Sequence, residues 1–247
     1  MAILNYIYVF WVALVFILTL IVAFLLLMPG FLLPSRVGNR YSNFILRWWA
    51  TIWSTLIMMP VRAKGKNPDH AKETMVIVTN HNSYLDTTTS YINVKHLFKT
   101  LAKKELTKLP LMGQIFLTSG IMVDRSSPES RKASYQRMVD AIKSGTSILI
   151  FPEGTQNRTD QPLQPFYDGA FRLAVECQVP VLPIVTLNTR WLMPQADVAK
   201  MRPGTIRQIF LDPIPTKGMG PDDIEGLKEK VFHLTEEIIR REDPKWS

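Results

Sequence analysis

The apolar positions of this chain fall into two regimes. Residues 1–34 carry no charged side chain, and residues 7–28 are an almost unbroken run of Ile, Leu, Val, Phe and Ala. At 1.5 Å of helical rise, about 20 such residues cross a hydrocarbon core of about 30 Å, so the run predicts a membrane anchor. A cleavable signal peptide fits less well, because no Lys or Arg precedes the run and the run exceeds a signal core. Pro29-Gly30 breaks it. Residues 36–60 then mix Arg47, Trp48, Trp49 and Trp53 with aliphatic residues, the composition of a helix at a membrane interface. Two arrangements satisfy this pattern: a spanning helix followed by an interfacial one, or a helical hairpin dipping into one leaflet.

From residue 74 onward, short β-branched runs alternate with amphipathic stretches. The pattern predicts strands at 74–79, 97–102, 120–124, 146–151, 180–187 and 205–211, and helices at 83–92, 129–144, 168–177 and 222–241. Residues 61–73, with Gly65 and Pro68, read as a linker. Such alternation is the mark of an α/β fold, expected here as a mixed sheet flanked by helices. The chain of 247 residues therefore divides into membrane-anchoring helices over 1–60 and one α/β domain over 61–247.

Charge changes the picture at one place. The chain carries a formal +8 with a pI near 9.6, which suits nucleic acid, an anionic membrane or an acidic substrate. Before residue 71, Arg36, Arg40, Arg47, Arg62, Lys64 and Lys66 stand against Asp69 alone, so +5 of the charge lies beside the apolar anchor. That arrangement predicts contact with an anionic membrane surface and, by the positive-inside rule, an α/β domain facing the cytoplasm. No zinc-finger spacing or nucleic-acid module accompanies the charge, so no nucleic-acid partner is expected. The single cysteine, Cys177, excludes an intrachain disulfide and falls in an apolar helical pattern as a core residue.

The candidate chemistry lies where two apolar runs end. Val76-Ile77-Val78-Thr79-Asn80 delivers His81 to the end of a strand, and Asp86 follows five residues later in the first turn of a predicted helix that Ser83 would cap. Carboxylate and imidazole can then share a side: the carboxylate fixes the ring tautomer and the other nitrogen is left as a base for a hydroxyl. A hydrogen-bonded structural histidine is the other reading of the same pattern. Ser147-Ile148-Leu149-Ile150-Phe151-Pro152-Glu153-Gly154-Thr155 is a second strand running into a polar turn. No Gly-x-Ser-x-Gly elbow is present, and His70, His96 and His233 have no metal-ligand spacing, so neither a serine hydrolase nor a metal site is expected. No cofactor is expected either.

Taken in order with Gly120-Ile121-Met122-Val123-Asp124-Arg125 and Val179-Pro180-Val181-Leu182-Pro183-Ile184, these two segments resemble the four sequence blocks of the glycerolipid acyltransferase family over roughly residues 60–215. The resemblance implies an enzyme that moves a fatty acyl chain from acyl carrier protein or coenzyme A to the free hydroxyl of a lysophospholipid, 1-acylglycerol-3-phosphate first among them. His81 would be the general base and Asp86 its orienting partner. Arg125, Glu153, Gly154 and Thr155 would hold the acceptor, and Lys103 keeps a basic position of the family. Two departures remove positive charge near the presumed phosphate site. Gln156 stands where relatives have Arg, with Arg158 two residues on, and Tyr167 beside Asp168 stands where relatives have Lys. These departures keep glycerol 3-phosphate or another lyso-lipid open as acceptors. A lipid hydrolase or a silent lipid-binding protein is the alternative of another class.

Overall fold

The computed structural model describes residues 2–65, 73–124 and 126–246. Arg125, His70 and most of the expected linker lie outside the described residues. Two helices come first, α1 (Ala2–Leu27) and α2 (Ser35–Leu56), joined through a tight turn at Met28–Leu32. Seven strands follow: β1 (Val61–Lys64), β2 (Val76–Thr79), β3 (Phe98–Lys103), β4 (Gly120–Val123), β5 (Ser147–Ile150), β6 (Val181–Leu187) and β7 (Ile206–Phe210). The helices interleaved with them are α3 (Leu85–Asn93), α4 (Met112–Ser119), α5 (Pro128–Lys143), α6 (Gly169–Cys177), α7 (Thr189–Leu192) and α8 (Ile224–Glu242).

The strands form one mixed sheet in the order β1-β7-β6-β2-β5-β3-β4. β2 to β6 are mutually parallel, whereas β7 pairs antiparallel with β6 and carries β1 parallel to itself. The central strands are buried on both faces, which is why β2, β5 and β6 read as continuous apolar runs. Their side chains alternate between two cores. Val76, Val78, Ile148 and Ile150 pack with Phe171 and Leu173 of α6 and Val231 of α8, while Met75, Ile77 and Leu149 pack against the other face.

That second face is covered by the amino-terminal hairpin. Leu20, Ala23 and Leu27 of α1 and Leu46, Trp49 and Ala50 of α2 share a core with Ile77, Leu149 and Phe98. Trp49 Nε1 donates to Thr19 Oγ1 across the hairpin, and Asn43 of α2 donates to Phe98 O, so α2 is fastened to both neighbours. Beyond this docked stripe, Ile3, Phe10, Ile17, Leu18, Ile21 and Leu25 of α1 are exposed apolar side chains. Residues 3–32 are long and apolar enough to cross a membrane.

Three expectations need correction. The linker contains β1, a four-residue Val-Arg-Ala-Lys strand in which only Val61 is even half-buried, because an edge strand is held by its ladder with β7 rather than by a buried face. Residues 112–119 form α4, too short for its periodicity to be read, although Ile115 reaches the core. The helix after β2 opens at Leu85 instead of 82 or 83, and Ser83 does not cap it. Its hydroxyl donates to Met193 O and accepts the Leu85 N–H only at 3.4 Å, while Asp86 Oδ2 accepts the N–H groups of Asn82 and Ser83 ahead of the helix.

Candidate active site

Parallel strands bring their carboxyl ends to one edge, and loops from that edge carry most of the residues singled out by sequence. His81 lies just past β2, in the middle of the sheet, with β5 and β6 as its neighbours. His81 Nδ1 lies 3.0 Å from Asp86 Oδ2, and Asp86 is fully buried. The same oxygen accepts the backbone N–H of Asn82 (2.6 Å) and of Ser83 (2.7 Å). An oxygen surrounded by donors calls for a proton on Nδ1, so in the neutral ring Nε2 is the free lone pair. Among the described residues Nε2 has no hydrogen-bond partner. The ring itself is stacked on Phe151, centroids 4.0 Å apart and planes 21° apart.

The backbone of this loop is as tightly held as its side chains. His81 N–H donates to Glu153 Oε1 (2.7 Å), and His81 C=O accepts Asn157 N–H (2.7 Å). Three successive N–H groups, at 81, 82 and 83, therefore end on carboxylates and are committed to the loop rather than to an oxyanion. Glu153 is 2% exposed, and its Oε2 accepts Gln164 N–H at 2.9 Å. Burial outweighs those two bonds and pushes its pKa up to about 7. Glu153 thus holds the wall of the site from behind and does not open onto a substrate surface.

The other predicted residues spread along the strand-end edge. Gly154 takes φ +72°, a left-handed turn closed by its own N–H to Phe151 O, so a side chain there would strain the turn. Thr155 is exposed beside it, and Lys103 is exposed at the end of β3. Asp124, past β4, is held well below the usual carboxylate range by the hydroxyl and N–H of Ser126 and by Lys104 Nζ at 2.9 Å. The two departures go different ways. Gln156 is buried, Tyr167 is exposed, and Asp168 pairs with Lys228 at 2.9 Å. Cys177 is half-buried against the core. Among the described residues no three His, Cys, Asp or Glu gather as a metal site would need.

Sequence reasoning missed two features. Asn80, fully buried, donates to Thr186 O and accepts Thr186 N–H, both at 2.8 Å, extending the β2–β6 pairing to the residue before His81. An Asn ending an apolar strand is the one signal it offered. Past β6, a cleft of about 640 Å³ is lined by Asn82, Arg158, Arg190, Trp191, Lys200 and Arg202 among others, drawn from segments far apart in sequence.

The chloroplastic 1-acyl-sn-glycerol-3-phosphate acyltransferase of Brassica napus is 31% identical over 188 residues, covering 75% of this chain and 54% of its own length. The 1-acyl-sn-glycerol-3-phosphate acyltransferase of Salmonella typhimurium is 28% identical over 177 residues, covering 68% of this chain and 71% of its own. The chain thus spans about half the length of the chloroplastic relatives it matches. The crystal structure of the 1-acyl-sn-glycerophosphate acyltransferase PlsC from Thermotoga maritima has the same fold. It superposes with a TM-score of 0.80 at 21% identity, over 99% of this chain and 97% of the other. Residues 60–187, which include His81, Asp86 and the Glu153 turn, match the family described as Acyltransferase, and the chain belongs to that family.

Proposed function

We propose that the chain transfers a fatty acyl group from an acyl carrier protein or coenzyme A thioester to the free hydroxyl of 1-acylglycerol-3-phosphate, giving phosphatidic acid. The observation that carries this reading is the His81–Asp86 pair, with Nδ1 tied at 3.0 Å and Nε2 open at the carboxyl edge of the sheet. Nε2 takes the hydroxyl proton as the acceptor oxygen attacks the thioester carbonyl carbon. A C–O bond forms, the C–S bond breaks, and the departing sulfur receives the proton from Nε2, which returns the ring to its starting form. Asp86 fixes the tautomer and Phe151 the ring plane. Lys103 and Thr155, at the ends of β3 and β5, are groups for the acceptor phosphate, and Arg125, next to Asp124 in the sequence, is a third by its resemblance to the family. Names of relatives that act on 1-acyl-sn-glycerol 3-phosphate support that acceptor.

The hairpin gives the lipid a way in. Val12 and Val15 of α1 share a cluster with Leu85 and Met193, which border the His81 loop, so apolar surface runs from α1 to the site. In this reading α1 and α2 lie in one leaflet on the cytoplasmic side of a bacterial inner membrane, with Arg36 and Arg40 against anionic headgroups. The division into residues 1–60 as the anchor and 61–247 as the catalytic domain is kept as a functional one.

The test is acyl transfer by the purified full chain in mixed micelles, wild type beside His81→Ala, with lyso-lipid acceptors of differing headgroup. Transfer that needs His81 and favours 1-acylglycerol-3-phosphate supports the reading. Unchanged turnover in His81→Ala removes the mechanism, and preference for an uncharged or amine-bearing headgroup removes the acceptor.

A further inference from the structure

We infer that the cleft past β6 binds the phosphopantetheine arm of the acyl donor, with its phosphate held by Arg158, Arg190 and Arg202. The inference rests on the acyl-transfer reading above and concerns the half of the reaction that reading leaves without residues.

Position separates the two substrates. In the sheet order β6-β2-β5-β3-β4, Lys103 lies on the β3 side of His81, Arg190 and Arg202 come from the segment between β6 and β7 on the other, and Arg158 reaches their cleft from the loop after β5. Both substrates carry phosphate, and both must reach Nε2 together. Two anions sharing one set of cations would repel each other, so separate cationic groups on either side of the base suit a two-substrate transfer.

The cleft is built for more than a point charge. Its lining includes Asn82, the residue after His81, which is 8% exposed and whose Oδ1 is buried without a hydrogen-bond partner among the described residues. A buried, unpaired acceptor asks for an N–H or O–H, and a pantetheine chain offers both between its thioester and its phosphate. Arg190 is held in place by Nη2 to Thr159 O (2.8 Å) and by the rings of Trp191 and Trp246 under its guanidinium, at 5.5 and 5.0 Å, while its Nη1 is buried and unpaired. Arg202 spends Nε on Trp191 O (2.9 Å), which leaves its terminal nitrogens for a ligand. Arg158 has no ion pair among the described residues, and Lys200 is partnered by Asp197 at 3.5 Å. A buried acceptor beside the base and guanidinium groups lining the same cleft suit the amide and the phosphate of such an arm. At about 640 Å³ the cleft falls in the usual range for small-molecule sites, roughly 300–1,000 Å³.

The test uses the detergent-solubilised full chain. Calorimetric titration with 4′-phosphopantetheine and with pantetheine should give binding at least tenfold tighter for the phosphorylated probe. Arg202→Ala and Arg158→Ala, both at exposed positions, should abolish that difference. In steady-state kinetics the same variants should raise KM for acyl coenzyme A and for acyl-acyl carrier protein at least tenfold, with acceptor KM moving less than twofold. Equal binding of the two probes by the wild type overturns the inference. A rise in acceptor KM overturns it in favour of the acceptor phosphate. A rise confined to the carrier-protein donor, with no phosphopantetheine binding, overturns it in favour of a protein-docking surface. Phosphate-dependent probe binding that needs Arg202, in a chain that transfers no acyl group, would keep the site and remove the acyl-transfer reading instead.

Discussion

Glu153 and His81 meet through the backbone: Oε1 of the buried carboxylate accepts the His81 N–H at 2.7 Å, and Oε2 accepts that of Gln164. The carboxylate therefore sets where the β2 loop stands relative to the β5 loop, and with it where Nε2 points. Glu153→Gln keeps size and one acceptor oxygen but turns an N–H₂ group toward one of the two backbone N–H donors. Leaving a buried donor unpaired costs about 1–3 kcal/mol. The expected outcome is a loss of stability of that order and a fall in kcat with little change in either KM, read from denaturant midpoints and steady-state kinetics. An unchanged kcat would show that the position of His81 does not depend on this carboxylate.

The same residue predicts a pH dependence of stability. Burial raises the Glu153 pKa from 4.5 to about 7, so the folded chain binds this proton more tightly than the unfolded chain does. Stability from this group is then complete below about 4.5 and is lost as pH rises through about 7, by roughly 3 kcal/mol over the window. Denaturant unfolding across that window should show wild type losing stability relative to Glu153→Gln, which has no proton to release. Parallel curves would contradict the assignment.

Asn80 should matter nearly as much as the residues it serves. Its side chain pairs both backbone groups of Thr186, which is 1% exposed, at the point where the β2–β6 ladder ends. Asn80→Ala leaves a buried N–H and a buried C=O without partners, a cost of about 2–6 kcal/mol at 1–3 kcal/mol for each group. The measurement is a urea midpoint. A shift equivalent to less than 1 kcal/mol would mean that water or a local rearrangement replaces the amide.

What could be read from sequence follows from what each feature rests on. Buried strands announce themselves because both faces are apolar, so β2, β5 and β6 were legible to within two residues, and His81, Asp86 and the Glu153 turn were found at their ends. β1 was not, since Val61 and Ala63 in a run of four are too short a pattern and its partner is 145 residues away in register, Val61 against Ile206. The direction of Glu153 was equally hidden: a carboxylate after a strand looks the same whether it faces a substrate or a backbone N–H. The cleft past β6 depends on Asn82, Arg158, Arg190 and Arg202 converging from three segments, a matter of tertiary folding alone.

Asp86 offers a test of the base that keeps the loop nearly intact. In Asp86→Asn one oxygen can still accept from Asn82 and Ser83, but the charge facing Nδ1 is gone, and the amide can orient toward the ring as a donor. The imidazolium formed during transfer then lacks its counter-ion. The expected result is a fall in kcat of roughly 100- to 10,000-fold, the range of general acid–base assistance, with acceptor and donor KM little changed. Removing the ring support in Phe151→Leu should cost less, about 3- to 10-fold, in line with roughly 0.5–1.5 kcal/mol for a ring–ring contact. Equal losses in the two variants would argue that both act through loop collapse.

The hairpin's bonds bear on the two membrane arrangements its sequence allowed. Near the amino end of α1, Asn5 Nδ2 donates to Ala199 O, Tyr8 hydroxyl to Ile57 O (2.7 Å) and Trp11 Nε1 to Leu56 O (3.0 Å). Ala199 adjoins Lys200 at the edge of the catalytic domain, and Ile57 follows α2. If α1 crossed the bilayer, these partners would be drawn across with its amino end, together with charges whose burial costs about 2.5–3.5 kcal/mol each even on translocon scales. An in-plane hairpin keeps every one of these bonds, places the outward row of Phe10, Ile17, Ile21 and Leu25 in the acyl region and leaves the amino end of α1 at the interface. With Cys177→Ser as background, Ile3→Cys should react with a membrane-impermeant maleimide from the same side as a cysteine placed at Lys217 in the catalytic domain. Labelling of Ile3→Cys only from the opposite side would establish a spanning helix, and the α1 contacts with Ile57 and Ala199 would then have to open in the membrane.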